Sequence, residues 1–140
     1  MVRILVVDDF DPWRQQVCSI LGARPELRVV AEAADGLEAV QKAEELKPDL
    51  ILLDIGLPSV DGLEAANRIC QLAPGTKIIF VTQNSDKDMV QAALSNGAQG
   101  YVVKTDAASE LLAAVAAVLG GDHFLSSGVK GHYSAETEDT

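Results

Sequence analysis

The sequence is poor in the residues that build most metal and redox sites. Only two cysteines, Cys18 and Cys70, and two histidines, His123 and His132, occur in 140 residues. Two cysteines make no disulfide framework, and two late histidines without companion ligands do not suit a zinc site. Both cysteines fall on apolar stripes of predicted helices and read as small core residues. No apolar run approaches the roughly 20 residues that span a bilayer. The N-terminal run is too short for a secretory signal and ends in acids. The expected location is therefore cytoplasmic, with no membrane partner. Basic residues are also scarce, 11 against 21 acidic ones, for a net charge of −10. Such a surface repels phosphate backbones, so no direct nucleic acid binding by this chain is expected.

What is present is an ordinary globular balance, 48% hydrophobic and 23% charged, in a length that suits one domain. Apolar runs alternate with amphipathic stretches. Strands are predicted over Val2–Val7, Leu27–Ala31, Leu50–Leu53, Lys77–Val81 and Tyr101–Val103. Most are near-continuous Val, Ile and Leu, the mark of parallel strands buried on both faces. Helices are predicted over about Pro12–Leu21, Leu37–Leu46, Gly62–Leu72, Lys87–Asn96 and Ala107–Leu119. Asp11 should cap the first, with Pro12 at its first helical position, and Asp35 should cap the second. Regular β-α alternation predicts an open doubly wound α/β sheet, because parallel strands need right-handed crossovers. Residues 1–121 form the domain, and residues 122–140, rich in Ser, Gly and acids, read as a flexible tail or linker.

The stretch "MVRILVVDD" raises a question, since adjacent carboxylates make each other harder to ionise. Something nearby should offset that, whether a metal ion, a basic side chain or water. In open α/β sheets, functional groups gather at the carboxyl ends of the strands. There the first strand delivers Asp8 and Asp9, the third Asp54, the fourth Thr82 and the fifth Lys104. Three carboxylates form a hard oxygen cage of the kind that suits Mg²⁺. No histidine or cysteine is close in sequence to act as nucleophile, so Asp54 is the candidate to form an acyl phosphate. Mg²⁺ and Lys104 would balance the phosphoryl charge.

The stretches "VVDDFD", "DLILLDIGLPSVDGLEA", "IIFVT" and "GAQGYVVKTD" resemble the motifs of the response-regulator receiver domain of two-component signalling, in order and at the family's spacing over about residues 2–120. The tract "GYVVKTDAASELLAAVAAVLGGDHFLS" further resembles receivers joined to a LuxR-like helix-turn-helix. The resemblance implies a flavodoxin-like five-stranded sheet of order 2-1-3-4-5 with five helices. It implies that Asp54 accepts a phosphoryl group from a sensor histidine kinase or phosphotransfer protein. It gives Mg²⁺ to Asp9 directly, to Asp8 through a bound water, to Asp54 and to the backbone carbonyl of Gly56. Lys104 pairs with Asp54, Thr82 binds a phosphoryl oxygen, and Tyr101 is the switch aromatic. Pro58 and Gly62 shape the loop after the third strand. The chain would then be a signalling switch that catalyses only its own phosphorylation and dephosphorylation. A homodimer through the fourth helix, fifth strand and fifth helix follows from the same resemblance. Tyr101 also reads as plain core packing with its hydroxyl at the surface.

Three departures stand out. Gln83 follows Thr82 where the family usually has a small residue, which should slow phosphoryl exchange. Thr105 follows Lys104 in place of the family's usual proline, so no cis peptide is expected there. No helix-turn-helix pattern follows residue 121, which reads as a stand-alone receiver or a truncated transcriptional regulator. The main alternative is a haloacid-dehalogenase-like phosphatase, which needs a DxDx motif followed by Thr or Val; the only candidate stretch here ends in Trp13. A flavodoxin-like cofactor binder would want a phosphate loop after the first strand, where Asp8 and Asp9 stand instead.

Overall fold

A computed structural model describes residues 1–129. Six parallel strands form one sheet: β1 (Val2–Val7), β2 (Leu27–Ala33), β3 (Leu50–Leu53), β4 (Lys77–Thr82), β5 (Gly100–Val103) and β6 (Phe124–Leu125). Their order is β2-β1-β3-β4-β5-β6. The helices are α1 (Asp11–Leu21), α2 (Gly36–Leu46), α3 (Gly62–Leu72), α4 (Lys87–Ser95) and α5 (Ala107–Leu119), with a 3₁₀ turn at Lys104–Asp106 before α5.

Alternation along each strand divides the core in two. Leu5, Val7, Ile51, Leu53, Ile78 and Phe80 face one layer, which α2, α3 and α4 complete with Val40, Ile69 and Val90. Ile4, Val6, Leu50, Leu52, Ile79 and Val81 face the other, which α1 and α5 complete with Val17, Leu21, Leu111 and Val118. Both strand faces are thus buried, as the continuous apolar runs predict.

Two expectations need correction. The sheet has six strands, not five, and one 3₁₀ turn beside the five α-helices. The added β6 falls within residues 122–140, read from sequence as tail. Phe124 N–H bonds the Gln99 carbonyl at 3.0 Å, Ser126 N–H bonds the Tyr101 carbonyl at 3.0 Å, and Ser126 and Val129 are buried. Residues 130–140, with His132 and the acidic end, lie outside the described residues. The second correction concerns α1. Phe10, not Asp11, occupies its cap position, and without a side-chain cap bond. Asp11 begins the helix instead, because its carboxylate is held by the Arg14 guanidinium one turn on. Asp35 does cap α2, accepting from Glu38 N–H at 2.8 Å, while Glu38 accepts in return from Ala34 N–H at 2.8 Å.

Candidate functional site

The chain leaves β1 for β2 on one side and reaches β3 on the other, so the strand order reverses between β1 and β3. Such a switch point opens a crevice beyond the strands' carboxyl ends. Register decides what stands there. Val7 is opposite Leu53, so Asp8 and Asp54 follow as neighbours. Thr82 is opposite Val103, so Lys104 lies one residue past Thr82. Backbone bonds fix both acids at the edge: Asp8 N–H to the Ala33 carbonyl and Asp54 N–H to the Val7 carbonyl, each 3.1 Å. Behind Asp54 the chain turns back tightly. A Cβ on Gly62 would come within 2.0 Å of the Asp54 carbonyl oxygen, so only glycine lets α3 begin that close.

These residues line a cavity of about 460 Å³, whose wall includes Asp9, Asp54, Gly56, Thr82, Gln83 and Lys104. Carboxylate oxygens of Asp8, Asp9 and Asp54 lie within 4.8 Å of one another. Asp8 is buried, Asp9 exposed, and Asp54 9% exposed. The Lys104 ammonium stands 2.7 Å from Asp8 Oδ2 and 3.5 Å from Asp54 Oδ2. The other oxygens are held by backbone: Phe10 N–H donates to Asp8 Oδ1 at 2.9 Å, and Ile55 N–H to Asp54 Oδ1 at 2.8 Å. Burial pushes the Asp8 carboxyl above the usual carboxylate range, against the pull of Lys104 and Phe10 N–H, and the charge of Asp54 adds to the rise.

The donor set is all oxygen, which suits a hard divalent cation such as Mg²⁺ and not a soft metal. Asp8 Oδ2 supplies a structural test. It is buried and ion-paired by distance with Lys104, yet has no hydrogen-bond partner among the described residues. A buried carboxylate oxygen so placed, beside two further carboxylates, fits a cation or a water bound to one.

Of the residues expected from sequence, Asp8, Asp9, Asp54, Gly56, Thr82 and Lys104 line this one cavity, whereas Tyr101 and Pro58 do not. Tyr101 is fully buried against Phe80, and its hydroxyl donates to the Asn84 carbonyl at 2.6 Å. Burial foremost, then Asp54 and Asp86, raises its phenol well above the ordinary value. Thr82 is buried and its hydroxyl accepts from Asn84 N–H at 3.5 Å. Asn84 therefore joins Thr82 to Tyr101, a link no sequence signal pointed to. Arg14 also escaped notice: its guanidinium bonds the Asp8 carbonyl and Glu32, tying α1 to the site. Trp13, read from sequence as part of an apolar helical stripe, lies with its ring centroid 5.2 Å from the Lys104 ammonium. No cis peptide occurs among the described residues.

Residues 4–116 match the response regulator receiver domain. The chain belongs to that family. This receiver is 39% identical to the transcriptional regulatory protein LiaR of Bacillus subtilis over 131 residues, covering 94% of this chain and 62% of LiaR. It is 36% identical to the transcriptional regulatory protein DegU of Brevibacillus brevis, covering 89% of this chain and 52% of DegU. The receiver thus spans between half and two thirds of these relatives' length. A LuxR-family two-component response regulator from Aurantimonas superposes with a TM-score of 0.93 at 33% identity, covering 98% of each chain. The receiver is of the kind found in two-component response regulators, and the Aurantimonas neighbour is one of the LuxR family. These matches give no support to a haloacid-dehalogenase-like phosphatase. Among the described residues no helix is long and apolar enough to cross a membrane.

Proposed function

We propose that this receiver is a phosphorylation switch with Asp54 as phosphoacceptor. The observation that carries this reading is the pairing of three clustered carboxylates with a single ammonium that reaches both Asp8 and Asp54. Asp54 Oδ1 is engaged by Ile55 N–H, so Oδ2, facing the cavity and Lys104, is the oxygen we assign to attack. Its bond to phosphorus forms as the phosphorus–nitrogen bond of a phosphohistidine breaks, on a histidine kinase or phosphotransfer protein. Asp8, Asp9, Asp54 and the Gly56 carbonyl would hold Mg²⁺, which supplies charge neutralisation at the phosphoryl oxygens when bound. Lys104 shifts its pairing from the carboxylates to the new phosphoryl group. The Thr82 hydroxyl turns to donate to a phosphoryl oxygen.

That turn is felt at Asn84, whose backbone contacts both Thr82 and the Tyr101 hydroxyl. Thr82 and Tyr101 then bias the surface formed by α4, β5 and α5, through which a homodimer forms. Phosphorylation shifts this surface only by its differential stability in the two states. The chemistry is confined to the chain's own acyl phosphate, made and hydrolysed in place, in a cytoplasmic setting.

Incubation with acetyl phosphate and Mg²⁺, read by intact mass, tests the proposal. One phosphoryl mass gain is expected, lost in Asp54→Ala and without added Mg²⁺. A gain that persists in Asp54→Ala, or none in the wild type, overturns it.

A further inference from the structure

We infer that Trp13 is a positioning residue for the phosphoryl chemistry: its indole face holds the Lys104 ammonium in the site while the charges around it change. The inference rests on the phosphoacceptor reading and adds a residue that reading does not use.

Lys104 is the cation of the site and its side chain is only 13% exposed. Its carboxylate partners are Asp8 at 2.7 Å and Asp54 at 3.5 Å. The ring of Trp13 also lies against it, at 5.2 Å from the ammonium to the centroid. That lies within the roughly 6 Å over which an ammonium is attracted to an indole face, the best of the aromatic rings for this contact. The two kinds of partner differ in what happens to them. A divalent cation at Asp8 and Asp54 competes for the same carboxylate oxygens, and phosphorylation of Asp54 consumes one of them. Both events weaken the ion pairs that hold Lys104 at rest. The indole carries no net charge and takes part in no bond making, so its attraction persists through every stage.

The ring is also well anchored. Trp13 sits in the first turn of α1, where its backbone N–H bonds the Phe10 carbonyl at 3.1 Å. Its side chain packs against the core layer between the sheet and α1 and α5. On its outer side, a cavity of about 460 Å³ lined by Phe10, Trp13, Gln83, Lys104 and Thr105 opens to solvent. Lys104 itself borders that space, and the ring is the wall of it that attracts the ammonium. An aliphatic side chain fills the volume but gives no attraction to a cation. The inference thus separates into packing, which leucine retains in part, and ring electrostatics, which it loses.

Trp13 is the only tryptophan in the chain, which makes a shape-preserving test available. Biosynthetic replacement by tryptophan bearing increasing numbers of ring fluorines drains negative potential from the indole face with little change in volume. With acetyl phosphate and Mg²⁺, the oxygen–phosphorus bond to acetate breaks as the one to Asp54 forms, and acetate leaves. The rate of this step should fall stepwise with fluorination, with unchanged Mg²⁺ affinity. Trp13→Leu should be about 2- to 30-fold slower, the range spanned by exposed to desolvated cation–π contacts, with Trp13→Phe between it and the wild type. A flat fluorination series, or Trp13→Phe as slow as Trp13→Leu, overturns the inference. Native fluorescence separates it from the reading beneath it. Emission of Trp13 should change in Lys104→Met without any phosphodonor, even if the wild type never gains phosphate; unchanged emission overturns the contact itself.

Discussion

At the scale of single residues, Asp8 and Asp9 are adjacent in sequence and unequal in environment. Asp8 is buried, with one oxygen on Phe10 N–H and the other beside Lys104. Phe10 N–H holds its Oδ1 in place, its Oδ2 has the Lys104 ammonium beside it without a hydrogen bond, and burial disfavours its charge. Asp9 is exposed, lines the same cavity and presents a carboxylate to the cluster. Asp9 would be the carboxylate open to a cation, and Asp8 would be better placed to orient a water bound to it. Asp9→Asn should therefore cost more Mg²⁺ affinity than Asp8→Asn, with the latter losing on the order of tenfold as groups behind the direct ligands do. Calorimetric titration of both variants decides; the reverse order assigns the direct contact to Asp8. Asp8 and Asp54 were legible because each directly follows a buried strand, and Asp9 because it adjoins Asp8. Trp13 and Arg14 were not, because a helix residue reaches the site only through packing, and the apolar period of α1 already accounted for Trp13 as core.

At the scale of elements, the strands with continuous Val, Ile and Leu could be placed to within two residues, since burial on both faces leaves no other pattern. β6 could not. It has only two residues, and the Gly-Gly and Ser-Ser pairs around it read as linker. What fixes it is not its own apolar content but hydrogen bonding that sequence does not display. Val103 N–H donates to Ser126 Oγ at 3.0 Å, with Ser126 fully buried. Gly128 N–H donates to Asp106 Oδ2 at 2.8 Å, and Ser127 N–H reaches the Glu110 carboxylate at 3.2 Å. Ser126→Ala leaves the buried Val103 N–H without its acceptor, which costs about 1–3 kcal/mol. Ser127→Ala, where among the described residues only the backbone is used, should stay within about 0.5 kcal/mol as surface changes do. Urea denaturation of the two variants reads the difference. Equal midpoints would mean that β6 adds nothing to the edge of β5.

At the scale of the whole molecule, the question is where a second copy can dock. Edge-to-edge strand pairing is poorly served. The outer strand β2 carries exposed Arg28 and Glu32, and β6 is too short to template a partner. Among the described residues, the large exposed apolar side chains are Met1, Phe10, Leu37 and Leu72, none on α4, β5 or α5. The proposed dimer face thus lacks a large, fully exposed apolar side chain among the described residues, and two copies each carrying −10 repel. Association at rest should accordingly be weak. On the proposed switch, the gain on phosphorylation would come from rearrangement of the α4-β5-α5 surface through Thr82, Asn84 and Tyr101. The fold class was legible from the alternation of buried runs and amphipathic helices. The contacts of Asn84 with Thr82 and Tyr101 were not, because a backbone contact leaves no trace in residue type. Sedimentation velocity at micromolar concentration should show a monomer without phosphodonor and a monomer–dimer mixture with Mg²⁺ and beryllofluoride. Asn84→Ala, which keeps the backbone groups that touch Thr82 and Tyr101, should dimerise like the wild type, whereas Asn84→Pro, which removes the N–H that reaches Thr82, should dimerise less. The same distribution with and without beryllofluoride, or full dimerisation of Asn84→Pro, would remove Asn84 as the link between site and surface.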